Sequence, residues 1–313
     1  MTSEDKITLI TIQGATAVGK SKLVLELAER FKSPIISADS RQVYKYLDIA
    51  TAKPSREERK IIPHYLIDLV EPSEEYNAGT FVKDAKKVIM KISERGKIPI
   101  ICGGTGFYIK ALTEGIFRAP EIPNEIRDKL RSIAVESGPS FLYDKLTVVD
   151  KESAVRINKN DTNRILRALE IYNTTGKTIS QLWEQDDTNN IDYNIYKILM
   201  IEDRKSLYAK INDRVEKMFD QGLLTEMENL LNMGYKESDP GMNTVGYKEL
   251  FSYFNGQTKL DDCKEEIKKN TRNFAKRQLT WYRKIDFDLT LDTKKINFLD
   301  VHQSIVKFCR EKK

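Results

Sequence analysis

Three short stretches of this chain carry residue types that could handle a phosphorylated substrate. Gly14-Ala15-Thr16-Ala17-Val18-Gly19-Lys20-Ser21 has the G-x-x-x-x-G-K-[ST] spacing of a phosphate-binding loop. Its glycines let the backbone curl so that successive N–H groups face one point, and a helix opening at its end adds a positive pole. Lys20 supplies a charge for phosphate oxygens, and the Ser21 hydroxyl is a ligand for Mg2+. The second stretch is Asp39-Ser40-Arg41-Gln42 and the third is Gly103-Gly104-Thr105-Gly106. A carboxylate beside bound phosphates has two uses: it binds magnesium through water, or it takes a proton from a nucleophile. Asp39 also suits a turn or a helix cap, and the glycine-rich third stretch, taken alone, suits a plain turn.

The elements around these stretches would bring them together. Ile7 to Ile12 is β-branched and apolar and reads as a buried strand; Lys22 to Glu29 after the loop reads as a helix. Pro34 to Ala38 and Lys97 to Cys102 read as further strands, and Asn77 caps a helix running from Phe81 to Arg95 with Gly96 as its stop. A helix is expected from Phe107. This alternation predicts an α/β fold, a P-loop parallel sheet flanked by helices on both faces. Such sheets bind ligands beyond the carboxyl ends of their strands, so neighbouring strands would bring Lys20, Ser21, Asp39 and Thr105 to one crevice.

The pattern changes from Arg118. Pro120 and Pro123 break the chain, and helical periodicity follows in Asn124 to Glu136, Ser140 to Leu146, Glu152 to Ile157 and Asp161 to Tyr172. A polar run, Glu184 to Asn190, precedes a strand at Tyr193 to Ile201. The expected organisation is a catalytic core of 1–117 and 191–313, whose C-terminal part is helical, with an all-helical insertion domain at 118–190. Such an insertion suits a lid over a phosphate site. Beyond Asp203, helical pattern runs to Met233, with Gly222 as a break and Gly234 as a stop, and Asn243 to Lys248 is a turn opening another helix.

Between Lys264 and Lys284, Ile267, Phe274, Trp281 and Ile285 recur at helical spacing and are expected to form one buried face. Lys269, Arg272, Lys276 and Arg283 then form a basic stripe, with Glu265 and Glu266 as the acids on the same helix. Charge alone divides evenly between a solvated surface helix and a nucleic-acid surface. Arg127, Arg164 and Arg167 add cations in the insertion.

Composition narrows the class. The 313 residues carry a net charge of only +5, so any nucleic-acid binding must rest on local clustering. Cys102, Cys263 and Cys309 lack paired spacing, which argues against a zinc site or a disulfide framework, and the two histidines, His64 and His302, are too few for a histidine metal site. The polar start at Met1 to Asp5 has no apolar signal region, and no apolar run reaches membrane-span length. The expectation is a soluble, cytoplasmic monomer that makes no membrane contact.

Across most of its length the chain resembles the bacterial tRNA dimethylallyltransferases (tRNA isopentenyltransferases). The matching blocks are GATAVGKS at 14–21, ISADSRQVYKYLDIATAKP at 36–54, PHYLIDLVEP at 63–72, GGTGFYIKAL at 103–112, NDTNRILRALE at 160–170, NTVGYKEL at 243–250 and KRQLTWYR at 276–283. The ADSRQVY…AKP and KRQLTW blocks are specific to that family; a P-loop is not. The resemblance implies transfer of a dimethylallyl group from dimethylallyl diphosphate to the 6-amino group of the adenosine immediately 3′ of the anticodon, with release of diphosphate. It implies Asp39 as general base and Thr105 near the leaving-group oxygen and the tRNA. The diphosphate would be gripped by Gly14, Ala15, Thr16, Ala17, Val18, Gly19, Lys20 and Ser21, with Mg2+ on Ser21 and with Arg214. The tRNA anticodon stem-loop would meet Asp39, Ser40, Arg41, Gln42, Thr105, Arg127, Asn163, Arg164, Arg167, Asn243, Gly246, Lys248, Lys276, Arg277, Gln278 and Trp281. Ala15 and Val18 stand where proline and serine are common in that family, Tyr65 where a second histidine is common, and Asn163 where glutamine is common.

Other classes compete for the same residues. A P-loop kinase of a nucleoside or small metabolite would leave the basic helix without a role. An adenylate isopentenyltransferase would not need the insertion, and a non-catalytic RNA-binding P-loop protein would leave Asp39 and Thr105 idle.

Overall fold

The computed structural model describes residues 6–115, 120–184 and 193–312 of the chain. By internal contacts it divides into two units, one of Met1–Thr113 with Ile191–Lys313 and the other of Glu114–Asn190. The expected boundaries at 117/118 and 190/191, the polar start of the chain and most of the 184–190 run lie outside the described residues.

The first unit is built on strands β1 (Ile7–Gly14), β2 (Ile35–Ser37), β3 (His64–Tyr65), β4 (Ile100–Gly103), β5 (Tyr193–Ile201) and β6 (Leu289–Asp292). They form one sheet in the order β3-β2-β4-β1-β5-β6, with every pairing parallel. β1 is central, with Ile10 opposite Ile100 on one side and Tyr196 on the other. Because strand side chains alternate, Ile10 and Ile12 enter one core while Leu9, Thr11 and Gln13 point to the opposite face. All five are buried, so β1 is covered on both faces, as expected of the central strand of a parallel sheet, although Thr11 and Gln13 are polar.

The helices of this unit are α1 (Lys20–Arg30), α2 (Arg56–Ile61), α3 (Ala78–Ser93) and α4 (Gly106–Glu114), the last of which ends at the unit boundary. Gly19 precedes α1 at φ 94°, a left-handed conformation natural only to glycine, and so turns the chain from loop to helix. Asn77 caps α3 by accepting the Thr80 N–H.

The second unit holds α5 (Asn124–Val149), α6 (Lys151–Arg156), α7 (Thr162–Thr175) and α8 (Ile179–Glu184). Gly138 at φ 77° followed by Pro139 interrupts α5, so the two helices expected there share one span with a kink. Leu130, Leu142, Leu146, Ile165 and Leu169 make a core for this unit alone. Asp150 is buried and accepts from Ser153 N–H and from the Ser180 hydroxyl, which ties α6 to α8.

The chain then adds α9 (Arg204–Asp220), α10 (Leu223–Asn232), α11 (Leu250–Phe254), α12 (Leu260–Tyr282) and α13 (Phe298–Glu311) to the first unit. Leu207 and Ile211 of α9, Ala275 of α12 and Val301 and Ile305 of α13 join α1 and the sheet in one core.

The buried face of α12 differs from the expected one. Ile267 is buried, but the stripe continues through Ala275, Gln278 and Tyr282, while Phe274 is 36% exposed and Trp281 half-buried. A small residue and a glutamine carry no apolar signal, so the pattern of large side chains pointed one position away. The basic stripe is also shorter than expected: Arg272 is half-buried and donates to Asn212 Oδ1 at 2.6 Å.

Candidate active site

The carboxyl ends of β1, β2 and β4 open on a cavity of about 480 Å3, within the size range of small-ligand sites. Thr16, Ala17, Gly19, Lys20 and Ser21 form one wall; Ser37 ends β2, with Asp39 and Gln42 after it; Cys102, Gly103 and Gly104 lie at the end of β4. The 51–54 loop, Glu58 and His64, Lys210 and Arg214 of α9, and Phe274 and Gln278 of α12 complete it.

Close backbone contact joins the β2 and β4 exits. Ala38 N–H donates to Cys102 O at 2.8 Å and Thr105 N–H to Ala38 O at 3.2 Å. A Cβ on Gly103 would lie 2.0 Å from the Ala38 carbonyl oxygen, so only glycine lets the two loops meet. Thr105 does not line the cavity. Its Oγ1 accepts the Ser40 N–H at 3.0 Å and donates to Ser40 Oγ at 3.3 Å, bracing the segment that carries Asp39. Asp39 Oδ1 accepts the Arg41 N–H at 2.9 Å, which orients the carboxylate.

Charge is concentrated in the wall. Lys20 Nζ donates to Gly14 O and Ala15 O, both at 2.9 Å. Burial lowers the Lys20 pKa, while the nearby Cys102 and Asp39 pull it back up and Arg214 lowers it further. The guanidinium of Arg214 is likewise lowered by burial and supported by Asp39. Thus the carboxylate of Asp39 acts on both cations that face the phosphate loop. Burial pushes the Cys102 thiol up to about 11, so it stays protonated near neutral pH.

Other residues of the cavity hold its shape. Gln42 Oε1 accepts from Ser37 Oγ at 2.9 Å, and its Nε2 donates to Thr51 O and Ala52 O, both at 3.2 Å. The Lys53 side chain is 1% exposed and bonds Tyr44 O, Asp48 and Asp68. Burial raises the Asp68 pKa, but hydrogen bonds from Lys53 and Arg59 outweigh it and hold the group below its usual value. The preceding turn is pinned by Glu226, which accepts from Asp48 N–H and Ile49 N–H and from the Tyr247 hydroxyl. Lys53, Lys210 and Glu226 are not singled out by sequence, because each is an isolated residue without a spacing of its own; Phe274, expected on the buried face of α12, instead lines the cavity.

Several of the residues expected to meet RNA make bonds or packing contacts within the protein. Gln278 is buried, with Oε1 accepting from Thr16 N–H and Nε2 donating to Gly104 O, each at 2.8 Å. Gln42 is likewise engaged at both ends of its amide. Gly246 is buried, and a Cβ there would lie 2.5 Å from Ala50 Cβ, so it serves packing. Trp281 packs over Gly106 and meets Phe107 edge-on at 6.3 Å. By contrast, Lys276, Arg277 and Asn243 are exposed, Lys248 is half-exposed beside Glu249, and Arg41 is half-buried and donates to Pro240 O. In the helical unit Asn163 and Arg164 are exposed, Arg127 and Arg167 are half-buried, and Arg167 pairs with Glu170 at 3.3 Å.

A family profile described as IPP transferase matches residues 42–285. The tRNA dimethylallyltransferase of Caldanaerobacter subterraneus subsp. tengcongensis is 45% identical over 284 residues, 90% of each chain. That of Carboxydothermus hydrogenoformans is 47% identical over 277 residues, 88% of this chain and 89% of the other. Among solved structures, the tRNA isopentenylpyrophosphate transferase of Bacillus halodurans superposes with a TM-score of 0.73 at 34% identity over 98% of both chains. A eukaryotic dimethylallyltransferase acting on tRNA superposes with a TM-score of 0.78 at 31% identity, over 92% of this chain and 74% of the other.

Proposed function

The chain belongs to the IPP transferase family, and on that premise we propose that it transfers a dimethylallyl group from dimethylallyl diphosphate to N6 of the adenosine 3′ of the tRNA anticodon. The observation that carries the reading is one cavity shared by the phosphate loop, Asp39 and Arg214, with the Asp39 carboxylate acting on both cations.

In this reading Lys20 leaves the Gly14 and Ala15 carbonyls to meet the diphosphate, and Arg214 meets it from α9. The N6 lone pair attacks the allylic carbon. The carbon–oxygen bond breaks with its electron pair leaving on the diphosphate, and the N6 proton passes to Asp39. Lys20 and Arg214 stabilise the charge growing on the leaving group. Thr105 holds the Ser40 backbone and, through it, the base; we assign it positioning rather than direct contact.

The Ser21 hydroxyl, with diphosphate oxygens and water, would give Mg2+ the hard-oxygen donors that it prefers. Among the described residues no cluster of three His, Cys, Asp or Glu forms a protein cage for a metal, which suits an ion carried mainly by substrate phosphates. Bound there, magnesium would add positive charge beside the leaving group.

The target base is stacked in its loop and must be extruded to reach Asp39. Lys276, Arg277 and Asn243 in the first unit and Asn163, Arg164 and Arg127 in the helical unit are the proposed tRNA-facing residues, with Arg41 and Lys248 nearer the loops. The proposed working unit is a monomer. Among the described residues no helix is long and apolar enough to cross a membrane, and the expected compartment is the cytoplasm, where tRNA is modified.

Incubation with labelled dimethylallyl diphosphate and unmodified tRNA, AMP or ATP tests the reading; label is expected in tRNA alone. Asp39→Ala should lower the single-turnover rate by about 10^2–10^4-fold and leave tRNA binding nearly intact. A variant that retains most of its turnover would remove Asp39 as the base.

A further inference from the structure

Helix α12 reaches into the cavity from the side opposite its exposed cations. Gln278 accepts the Thr16 N–H at 2.8 Å and donates to the Gly104 carbonyl at 2.8 Å. A backbone N–H only donates and a carbonyl only accepts, so a single orientation of the amide satisfies both contacts. The neighbouring turn adds to the bridge. The Tyr282 hydroxyl lies 3.3 Å from Gly14 O and 3.2 Å from Gly104 O. A Cβ on Gly104 would lie 2.5 Å from Gln278 Nε2, and one on Gly106 would lie 2.2 Å from Trp281 Nε1. Gly104 and Gly106 are therefore small because α12 occupies the space beside them.

We propose that Gln278 is a positioning residue for the diphosphate: it sets the curl of the phosphate loop against the β4 exit, and it does not read RNA. The proposal rests on the reading of residues 14–21 as the diphosphate cradle. A phosphate loop binds through several backbone N–H groups aimed at one point, and the bond from Thr16 N–H to Gln278 fixes the loop where that curl begins. Glutamine alone does this here. Asparagine is one methylene short, glutamate would set a carboxylate against the Gly104 carbonyl, and methionine of similar length makes neither bond. With the clamp gone, the cradle must be ordered by the ligand itself, and affinity falls by the free energy of that ordering.

The test uses the full-length protein, inorganic pyrophosphate with magnesium, and Gln278→Met. Calorimetry is expected to show pyrophosphate binding weakened about five- to tenfold, with the Kd for unmodified tRNA within about twofold and the KM for the prenyl donor raised more than kcat is lowered. Weaker tRNA binding with unchanged pyrophosphate binding would overturn the proposal in favour of an RNA contact. A lowered melting temperature with unchanged pyrophosphate binding would overturn it in favour of a merely structural bond. Should Gln278→Met fail to fold, Tyr282→Phe tests the same bridge at nearly constant volume: weaker pyrophosphate binding supports the clamp, and no change overturns it. Because pyrophosphate carries no prenyl group, this readout is independent of whether transfer to tRNA occurs.

Discussion

His64 enters the cavity wall as a neutral ring, its Nδ1 bonded to the Ile62 carbonyl at 2.7 Å. A carbonyl only accepts, so the proton sits on Nδ1. Burial lowers the His64 pKa below 6.5, against smaller upward pulls from that bond and from Glu58. In the unfolded chain the ring takes a proton near 6.5, so below that pH the unfolded state binds more protons and stability falls. Urea midpoints are therefore expected to drop as pH falls through 6.5 toward the lowered folded value, and His64→Gln should flatten that part of the profile. Much of the site was legible at this scale, and the reason is spacing. Lys20 and Ser21 follow from the glycines before them, and Asp39 follows from ending a strand. Lys53, its side chain 1% exposed between Asp48 and Asp68, was not legible, since nothing in the sequence around it says which lysine loses its water. The internal bonds of Gln42 and Gln278 were not legible for the same reason: an amide looks alike whether it faces solvent or a backbone carbonyl.

At the scale of elements, α12 presents two different faces. Its inner face, through Gln278, Trp281 and Tyr282, meets the phosphate loop and the β4 exit, while Lys276 and Arg277 point to solvent one turn away. Lys276→Ala with Arg277→Ala is expected to weaken tRNA binding and to lower the slope of log K against log salt by about 1.5, close to 0.7–0.9 per lost phosphate contact. An unchanged slope would take this face out of the interface. The same comparison of elements shows where sequence pattern falls short. β1, α1 and α3 carry strong periodicity or caps and were foreseen. β3, two residues long, and β6, whose Leu289 and Leu291 alternate with polar residues, sit at the sheet edges, where little apolar surface is buried and the signal is weak. The inner face of α12 was displaced by one position because Ala275 and Gln278 fill a tight gap that a large apolar residue could not enter.

At the scale of the molecule, the whole cavity wall belongs to the unit of residues 1–113 and 191–313, and the helical unit has its own core of Leu130, Leu142, Leu146 and Ile165. Replacing residues 114–190 by a flexible linker is therefore expected to preserve magnesium pyrophosphate binding while abolishing prenylation of tRNA; calorimetry on the variant checks the first half and the labelled transfer assay the second. The central strand also sets a timetable. β1 pairs with β4 through Ile10 and Ile100, but its other edge pairs with β5, beginning at Tyr193. On the ribosome, about ninety further residues must be added after β4 before that partner exists, an interval of roughly 5–20 s at ordinary elongation rates. Throughout it, a strand that is buried in the finished fold keeps a row of open backbone donors and acceptors. Nascent chains arrested near residue 190 should accordingly bind holdase chaperones, and chains released beyond β6 should not.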